Sequence, residues 1–199
     1  MVSSTREDRV KKMSNKSGKG SDFERMVARQ LSLWWSDGQA DDWFWRTAGS
    51  GGRATNRAKS GKSTANSAGD IGAECPEAQK LLNIVTLELK RGYNHADVQE
   101  LLDHKGKSQF RDFCKQAATS ASLAGTPYWW LIVRRDRRDA LILTNRPLLL
   151  DATNIGRMQI RERNGTLMQM MRLDDFLLDP EIKQFYKNEA QTFSSGSGV

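Results

Sequence analysis

The sequence predicts an α/β fold in which helices pack on a small mixed sheet, and two observations support this class. Apolar residues recur every three or four positions over residues 21–35 and again over 108–123, which is the spacing of amphipathic helices. The runs NIVTLELK at 83–90 and YWWLIVR at 128–134 are rich in β-branched, aliphatic and aromatic residues, which favour strands. Helical and strand patterns alternate along the chain, so helices are expected to cover the sheet.

The length and charge of the chain indicate one domain with a polyanionic partner. Its 199 residues, 38% of them hydrophobic, suffice for a single buried core. The formal net charge is +7 and the sequence pI is near 9.6, and a basic surface gains affinity for phosphate by releasing condensed counterions. DNA is therefore the expected partner. The simpler alternative is an ordinary basic protein.

The cysteines and the apolar runs exclude other classes. Cys75 and Cys114 lie far apart and outside any CxxC or Cys/His cluster, so neither a disulfide framework nor a zinc site is suggested. No apolar run approaches the roughly 18 residues of a membrane span. We expect a cytoplasmic protein with no membrane partner.

The chain divides by composition into four parts. Residues 1–20 are strongly basic and are expected to form a disordered tail, and residues 21–147 form the core. Residues 148–190 are expected to be a C-terminal extension, followed by a disordered Ser/Gly end at 191–199. Within the core, residues 49–69 contain no large apolar side chain and predict a flexible basic loop.

Local patterns place the remaining elements. Beyond the two helices and two strands above, they are a strand at 42–47, a short strand at 70–73, a strand at 140–144, strands at 157–163 and 166–172, and a helix at 179–189. Arg135–Arg138 form a very polar turn before the strand at 140–144. Asn164-Gly165 predicts a hairpin between the last two strands, because this dipeptide favours two-residue turns.

Glu88 and Lys90 are the first candidates for chemistry. Side chains alternate along a strand, so these two share a face with Ile84 and Thr86, while the opposite face is wholly aliphatic. The carboxylate can hold a divalent metal, and the ammonium can hold a water. The alternative is a salt-bridged strand end exposed to solvent.

Asp70 and Glu24 are further candidate ligands. Asp70 precedes the Glu88 strand by one short connection, and a hairpin between the two strands would let both carboxylates share one hard cation such as Mg²⁺. The alternative for Asp70 is a turn residue. Glu24 falls at the end of Ser21-Asp-Phe-Glu24, which also fits a helix capping box.

In their order these residues resemble the PD-(D/E)xK nuclease superfamily and, within it, archaeal-type Holliday-junction resolvases. The pattern of those resolvases is a helix carrying Glu-Arg, an Arg-x-x-Gly-Ser strand end, an Asp and then Glu-x-Lys. The sequence contains, in that order, Phe23-Glu24-Arg25, Arg46-Thr-Ala-Gly-Ser50, Gly69-Asp70-Ile71 and Leu87-Glu88-Leu89-Lys90. The resemblance implies a restriction-endonuclease-like mixed sheet flanked by helices, to which the C-terminal hairpin and helix are added.

The resemblance also implies a role for each matched residue. Asp70, Glu88 and the backbone carbonyl of Leu89 would bind Mg²⁺, for which Mn²⁺ substitutes, and Glu24 would be an additional ligand through water. Lys90 would orient the attacking water. Ser50 would contact the scissile strand. Arg25 and Arg46 would bind phosphate, or else be a solvated helix residue and a strand-edge cation, respectively.

Other residues extend the predicted DNA interface. The loop at 49–69 is longer than in compact resolvases and carries four cations without an acid, namely Arg53, Arg57, Lys59 and Lys62. These would wrap DNA, unless the loop is simply a solvated surface segment. Gln116 would hold the active-site lysine or a phosphate, or else be an exposed helix residue. The pairs Trp34-Trp35 and Trp129-Trp130 are either core residues or stacking platforms for bases.

Together these features predict a metal-dependent endodeoxyribonuclease that acts on branched DNA such as Holliday junctions. Two alternatives stay open: a restriction or repair nuclease acting on ordinary duplex, and a non-catalytic DNA-binding or assembly protein that retains the fold. A homodimer is expected for a symmetric junction, because two cuts related by a two-fold axis need two active sites.

Overall fold

A computed structural model describes residues 6–47, 69–102, 108–146, 156–161 and 167–196. The helices are α1 (Arg6–Trp35), α2 (Pro76–Leu82), α3 (Gln99–Leu102), α4 (Gln109–Ala124), α5 (Leu173–Leu178) and α6 (Pro180–Gly196). The strands are β1 (Phe44–Arg46), β2 (Ile71–Ala73), β3 (Val85–Arg91), β4 (Tyr128–Arg134), β5 (Leu141–Thr144), β6 (Met158–Arg161) and β7 (Leu167–Arg172). No helix among these residues is long and apolar enough to span a membrane.

The predicted mixed α/β architecture is confirmed. Five strands form one sheet in the order β3-β4-β5-β7-β6, in which β3 and β4 run parallel and the other pairs are antiparallel. The crossover that a parallel pair requires is made by α3 and α4. β1 and β2 form a separate antiparallel pair.

Hydrophobic clusters cover both faces of the five-stranded sheet. One cluster joins Leu87 and Leu89 of β3 to Val27 and Leu31 of α1, and the other joins Leu131 of β4 to apolar residues of α4. Because β4 is buried on both faces, its sequence is continuously apolar rather than alternating. The four paired tryptophans are all buried, so the core interpretation of these residues is confirmed.

Helix α1 begins at Arg6, although the sequence predicted a disordered tail up to residue 20 and a helix start near Ser21. Ser21 therefore lies inside the helix and not at its N-terminus, which is the position that the alternative of a capping box requires. The second half of α1 is anchored by Phe23, Val27 and Leu31, and adding turns to an anchored helix avoids the cost of nucleation. The same reasoning applies to α6, which continues to Gly196 beyond the predicted end at 189.

The connection between Asp70 and β3 was also predicted wrongly. Helix α2 separates β2 from β3, and β2 pairs with β1 instead of forming a hairpin with β3. The local signals for α2 are Pro76 at its first position and Glu77 in its first turn.

The C-terminal segment, predicted as an extension, supplies part of the main core. Tyr186 of α6 and Phe176 of α5 are fully buried and pack edge-on against Trp130, with ring centroids 4.9 and 5.0 Å away. The indole N–H of Trp130 donates to the hydroxyl of Tyr186 at 2.9 Å. The domain around β4 is therefore completed by residues far along the chain.

The predicted antiparallel pairing of β6 and β7 is observed with a different register, while the predicted turn at Asn164-Gly165 lies outside the described residues. A two-residue turn at Asn164-Gly165 would pair Arg161 with Met168, whereas the structure pairs Arg161 with Leu167. This one-residue difference follows the burial of the strands, because it places Ile160 opposite Met168, and both side chains are buried.

Candidate active site

Asp70 is held directly against the edge of β3. Its backbone amide donates to the carbonyl of Leu87 at 2.9 Å, and its Oδ2 accepts from the amide of Leu89 at 2.7 Å. The preceding Gly69 has φ +90°, and an added Cβ there would lie 2.5 Å from the carbonyl oxygen of Leu87. Only glycine allows this close approach, which brings Asp70 to the motif strand without strand pairing.

Glu88 and Lys90 lie on one face of β3, as the alternation predicted, and form an ion pair. The alternative of a salt-bridged strand end exposed to solvent is wrong, because α4 covers this face and Glu88 is only 3% exposed. Gln116 of α4 donates from Nε2 to Oε1 of Glu88 at 2.7 Å, and Lys90 Nζ lies 5.6 Å from the ring centroid of Phe113. The exposed-helix alternative for Gln116 is therefore wrong. Phe113 was missed because a core aromatic carries no separate signal in the sequence.

Burial and the neighbouring charge of Glu88 raise the pKa of Asp70 to about 7, although the amide of Leu89 and the ammonium of Lys90 act in the opposite direction. The charge of Glu24 adds a smaller upward contribution to this pKa. The two predicted ligands Asp70 and Glu88 are therefore close enough for their charges to repel. A site of this kind favours a bound cation, because each carboxylate is costly to keep ionised alone.

Glu24 does not join Asp70 and Glu88 in a three-residue ligand group of the described residues, and its carboxylate contacts Arg46. It forms an ion pair with Arg46 that joins α1 to β1, and its side chain is 13% exposed. Within the described ranges, no group of three His, Cys, Asp or Glu residues is arranged to hold a metal. Arg25, a predicted phosphate contact, is exposed and pairs with Asp22 at 3.0 Å.

The remaining acceptors at Asp70 and Glu88 fit a hard cation. Among the described residues, both hydrogen bonds to Glu88 end on Oε1 and the side-chain bond to Asp70 ends on Oδ2, so Oε2 and Oδ1 accept none. The carbonyl of Leu87 and the amide of Leu89 both face Asp70, so this backbone edge of β3 borders the site. Two carboxylates beside one ammonium leave a net negative charge, and oxygen ligands of this kind suit Mg²⁺.

Thr47, the last described residue before the long basic loop, is hydrogen-bonded to the first described residues after it. Its amide donates to the carbonyl of Asp70 and its hydroxyl donates to the carbonyl of Gly69, both at 3.0 Å. The loop therefore starts and ends beside Asp70. The predicted contacts Ser50, Arg53, Arg57, Lys59 and Lys62 lie outside the described residues and stay predictions.

The fold and this site define a nuclease of the PD-(D/E)xK superfamily, and comparison with known families gives the same class. Residues 15–180 match the family described as "Phage putative PDDEXK endonuclease", so the chain belongs to this family. The match includes Glu24, Asp70, Glu88, Lys90 and Gln116, and it makes the restriction-endonuclease-like fold the expected one for this mixed sheet. Comparisons with curated proteins and with solved structures found no match.

Proposed function

We propose that this nuclease is a metal-dependent endodeoxyribonuclease whose cation is held by Asp70 and Glu88. The observation that carries the proposal is the attachment of Asp70 to the backbone of β3 between Leu87 and Leu89. This attachment brings a second buried carboxylate beside Glu88 and Lys90 and leaves an oxygen on each carboxylate for a ligand. Mg²⁺ is the proposed ion, with Mn²⁺ as a substitute, because both accept carboxylate and water oxygens.

The reaction is hydrolysis of a phosphodiester bond. Water oxygen forms a bond to phosphorus while the bond from phosphorus to the 3′ oxygen breaks, which leaves a 5′ phosphate and a 3′ hydroxyl that carries the proton from water. The bound cation supplies Lewis-acid stabilisation of charge on the phosphoryl group.

Side chains of the protein position the attacking water and the carboxylate of Glu88. Lys90 donates to Glu88 and can donate a second hydrogen bond to the attacking water, since an ammonium carries three protons. Gln116 holds the same carboxylate from the opposite helix and so fixes its rotamer. The ring centroid of Phe113 lies 5.6 Å from the ammonium of Lys90, a distance at which cation–π attraction favours the charged form.

Branched DNA is the proposed substrate, and the basis is the order of the four motifs, which resembles that of junction resolvases. The geometry adds one supporting feature, because Thr47, which precedes the basic loop predicted at 49–69, is hydrogen-bonded to Gly69 and Asp70. A loop attached there can reach DNA on either side of the scissile phosphate. Glu24 would act through water, and its ion pair with Arg46 would give way to phosphate at the site.

The test uses purified protein, Mg²⁺ and end-labelled four-way junction, flap, linear duplex and single strand. Asp70→Asn, Glu88→Gln and Lys90→Met remove charge at similar volume, and each is expected to lower cleavage by roughly 100-fold or more. Lys115→Met is the matched control, since Lys115 is exposed on the same helix as Gln116. Equal cleavage by wild type and all three site variants would overturn the assignment, and a preference for linear duplex would overturn the branched substrate alone.

A further inference from the structure

The turn between β4 and β5 contains an unusual concentration of arginine. Arg134, Arg135, Arg137 and Arg138 occur within five residues, and the carboxylates next to them have other partners. Asp136 lies 3.9 Å from Arg91, and Asp139 lies 4.0 Å from Arg172. In the described part of the chain, Arg135, Arg137 and Arg138 form no ion pair with a carboxylate, and Arg135 donates only to the carbonyl of Ala96 at 3.4 Å.

This turn lies at the same end of the sheet as Lys90. The parallel register pairs Lys90 with Val133 and Arg91 with Arg134, so Arg135 follows immediately beyond the motif strand. Neighbouring strands lie about 4.8 Å apart and residues advance about 3.3 Å, which puts the backbone of Arg135 on the order of 8 Å from that of Lys90. A phosphate close to the scissile one on the same DNA strand is therefore within reach of the side chains of this turn.

One arginine of the turn has a backbone conformation that is costly for a residue with a side chain. Arg137 has φ +60°, the left-handed region that favours glycine or asparagine. Beside the turn lies a cavity of about 220 Å³, and its lining comprises three arginines, one carboxylate and three apolar residues: Arg135, Arg138, Arg172, Asp139, Phe110, Val133 and Leu141. Three guanidinium groups therefore border one cavity, against a single carboxylate.

We propose that Arg135, Arg137 and Arg138 form a secondary phosphate-binding site that holds the DNA backbone next to the active site. The inference rests on the proposed function, because a DNA substrate is what gives the site its ligand. Guanidinium groups match phosphate oxygens geometrically, and unpaired ones bind phosphate without first breaking an ion pair. Arg25, Arg46 and Arg172, by contrast, already pair with carboxylates.

The experiment measures binding without cleavage. Fluorescence anisotropy with a labelled four-way junction and a labelled duplex is recorded in EDTA between about 50 and 200 mM salt, where each phosphate contact contributes about 0.9 to the slope of log K against log salt. Arg135→Gln/Arg138→Gln is expected to lower this slope by about two contacts, and Arg137→Gly by about one. Arg161→Gln, an exposed arginine on β6 at the far edge of the sheet, is the matched control.

Arg137→Gly also separates binding from folding. Glycine accepts the left-handed conformation without strain, so the thermal midpoint is expected to equal or exceed that of wild type while binding weakens. Slopes equal to that of the Arg161→Gln control would overturn the inference, as would wild type that shows no salt-dependent binding. Binding is measured in EDTA, which prevents cleavage, so the result does not depend on activity. A protein that binds DNA through these arginines but does not cleave it in Mg²⁺ would overturn the proposed function and leave this site standing.

Discussion

The amide of Leu89 donates a hydrogen bond to the side-chain carboxylate of Asp70 at 2.7 Å, and this contact ties the end of a long loop to the centre of the Glu88–Lys90 motif. It takes the place of the hairpin between two strands that the sequence predicted. The proposed active site therefore depends on a single residue placed against a strand edge, and small changes there should have large effects.

Gly69→Ala is expected to destabilise the protein and abolish cleavage. A Cβ at this position overlaps the carbonyl of Leu87, so Asp70 must move away from β3. Gly38→Ala is the matched control, since Gly38 also has positive φ, at +81°, but no atom lies within 4 Å of an added Cβ. Chemical unfolding should show Gly69→Ala to be less stable than Gly38→Ala by at least about 1 kcal/mol. Equal losses of unfolding free energy in the two variants would mean that the close approach of Gly69 to Leu87 does not contribute to stability.

Asp70 should make the metal-free protein less stable as the pH rises. Its pKa is about 7 in the folded protein, against an ordinary aspartate value of 3.8, so between these values the folded chain binds more protons than the unfolded chain. The free energy of unfolding therefore falls from about pH 4 to pH 7 and levels off above. Asp70→Asn should remove this part of the slope, which thermal unfolding in EDTA can measure. Parallel pH profiles for the two proteins would contradict the assignment.

Mg²⁺ should bind more tightly at pH 8 than at pH 6. Below about pH 7 a proton competes for Asp70, so the apparent affinity should fall by up to roughly ten-fold per pH unit. Calorimetric titration of wild type at the two pH values measures this directly. Asp70→Asn and Glu88→Gln should each bind the ion weakly at both values, and strong, pH-independent binding by either variant would place the ion elsewhere.

Gln116→Ala separates two roles for this residue. If Gln116 positions Glu88, as the 2.7 Å hydrogen bond indicates, kcat should fall about 10-fold or more with little change in KM. If it binds DNA, as the sequence suggested, KM should rise instead. Lys115→Ala, one residue earlier and exposed, should change neither constant.

Tyr186→Phe should show that the C-terminal helix belongs to the core. The change leaves the buried N–H of Trp130 without its acceptor, which costs about 1 to 3 kcal/mol in the free energy of unfolding. Tyr128→Phe removes a hydroxyl that donates to Glu189 at 3.0 Å in a partly buried place and should cost less. A smaller effect for Tyr186→Phe than for Tyr128→Phe would contradict the integral role of α6.

The sequence by itself determined the elements whose signals are local. The positions of β3, β4, β5 and α4 follow from runs and spacings within a dozen residues, and alternation alone placed Glu88 and Lys90 on one face. Helix α4 even carries its own boundaries, with Ser108 accepting from the amide of Arg111 at its start and Gly125 in the left-handed region at its end.

Only the tertiary structure decided how these elements meet. The anchoring of Asp70 to β3, the contact of Gln116 with Glu88 and the burial of Tyr186 against Trp130 join residues 19, 28 and 56 positions apart, and no local pattern encodes such pairs. The early start of α1 is likewise a consequence of packing, because the anchored half of the helix supplies the nucleus for the rest. Local periodicity thus specifies the strand that carries Glu88 and Lys90, while contacts across the fold specify that Asp70 lies beside them.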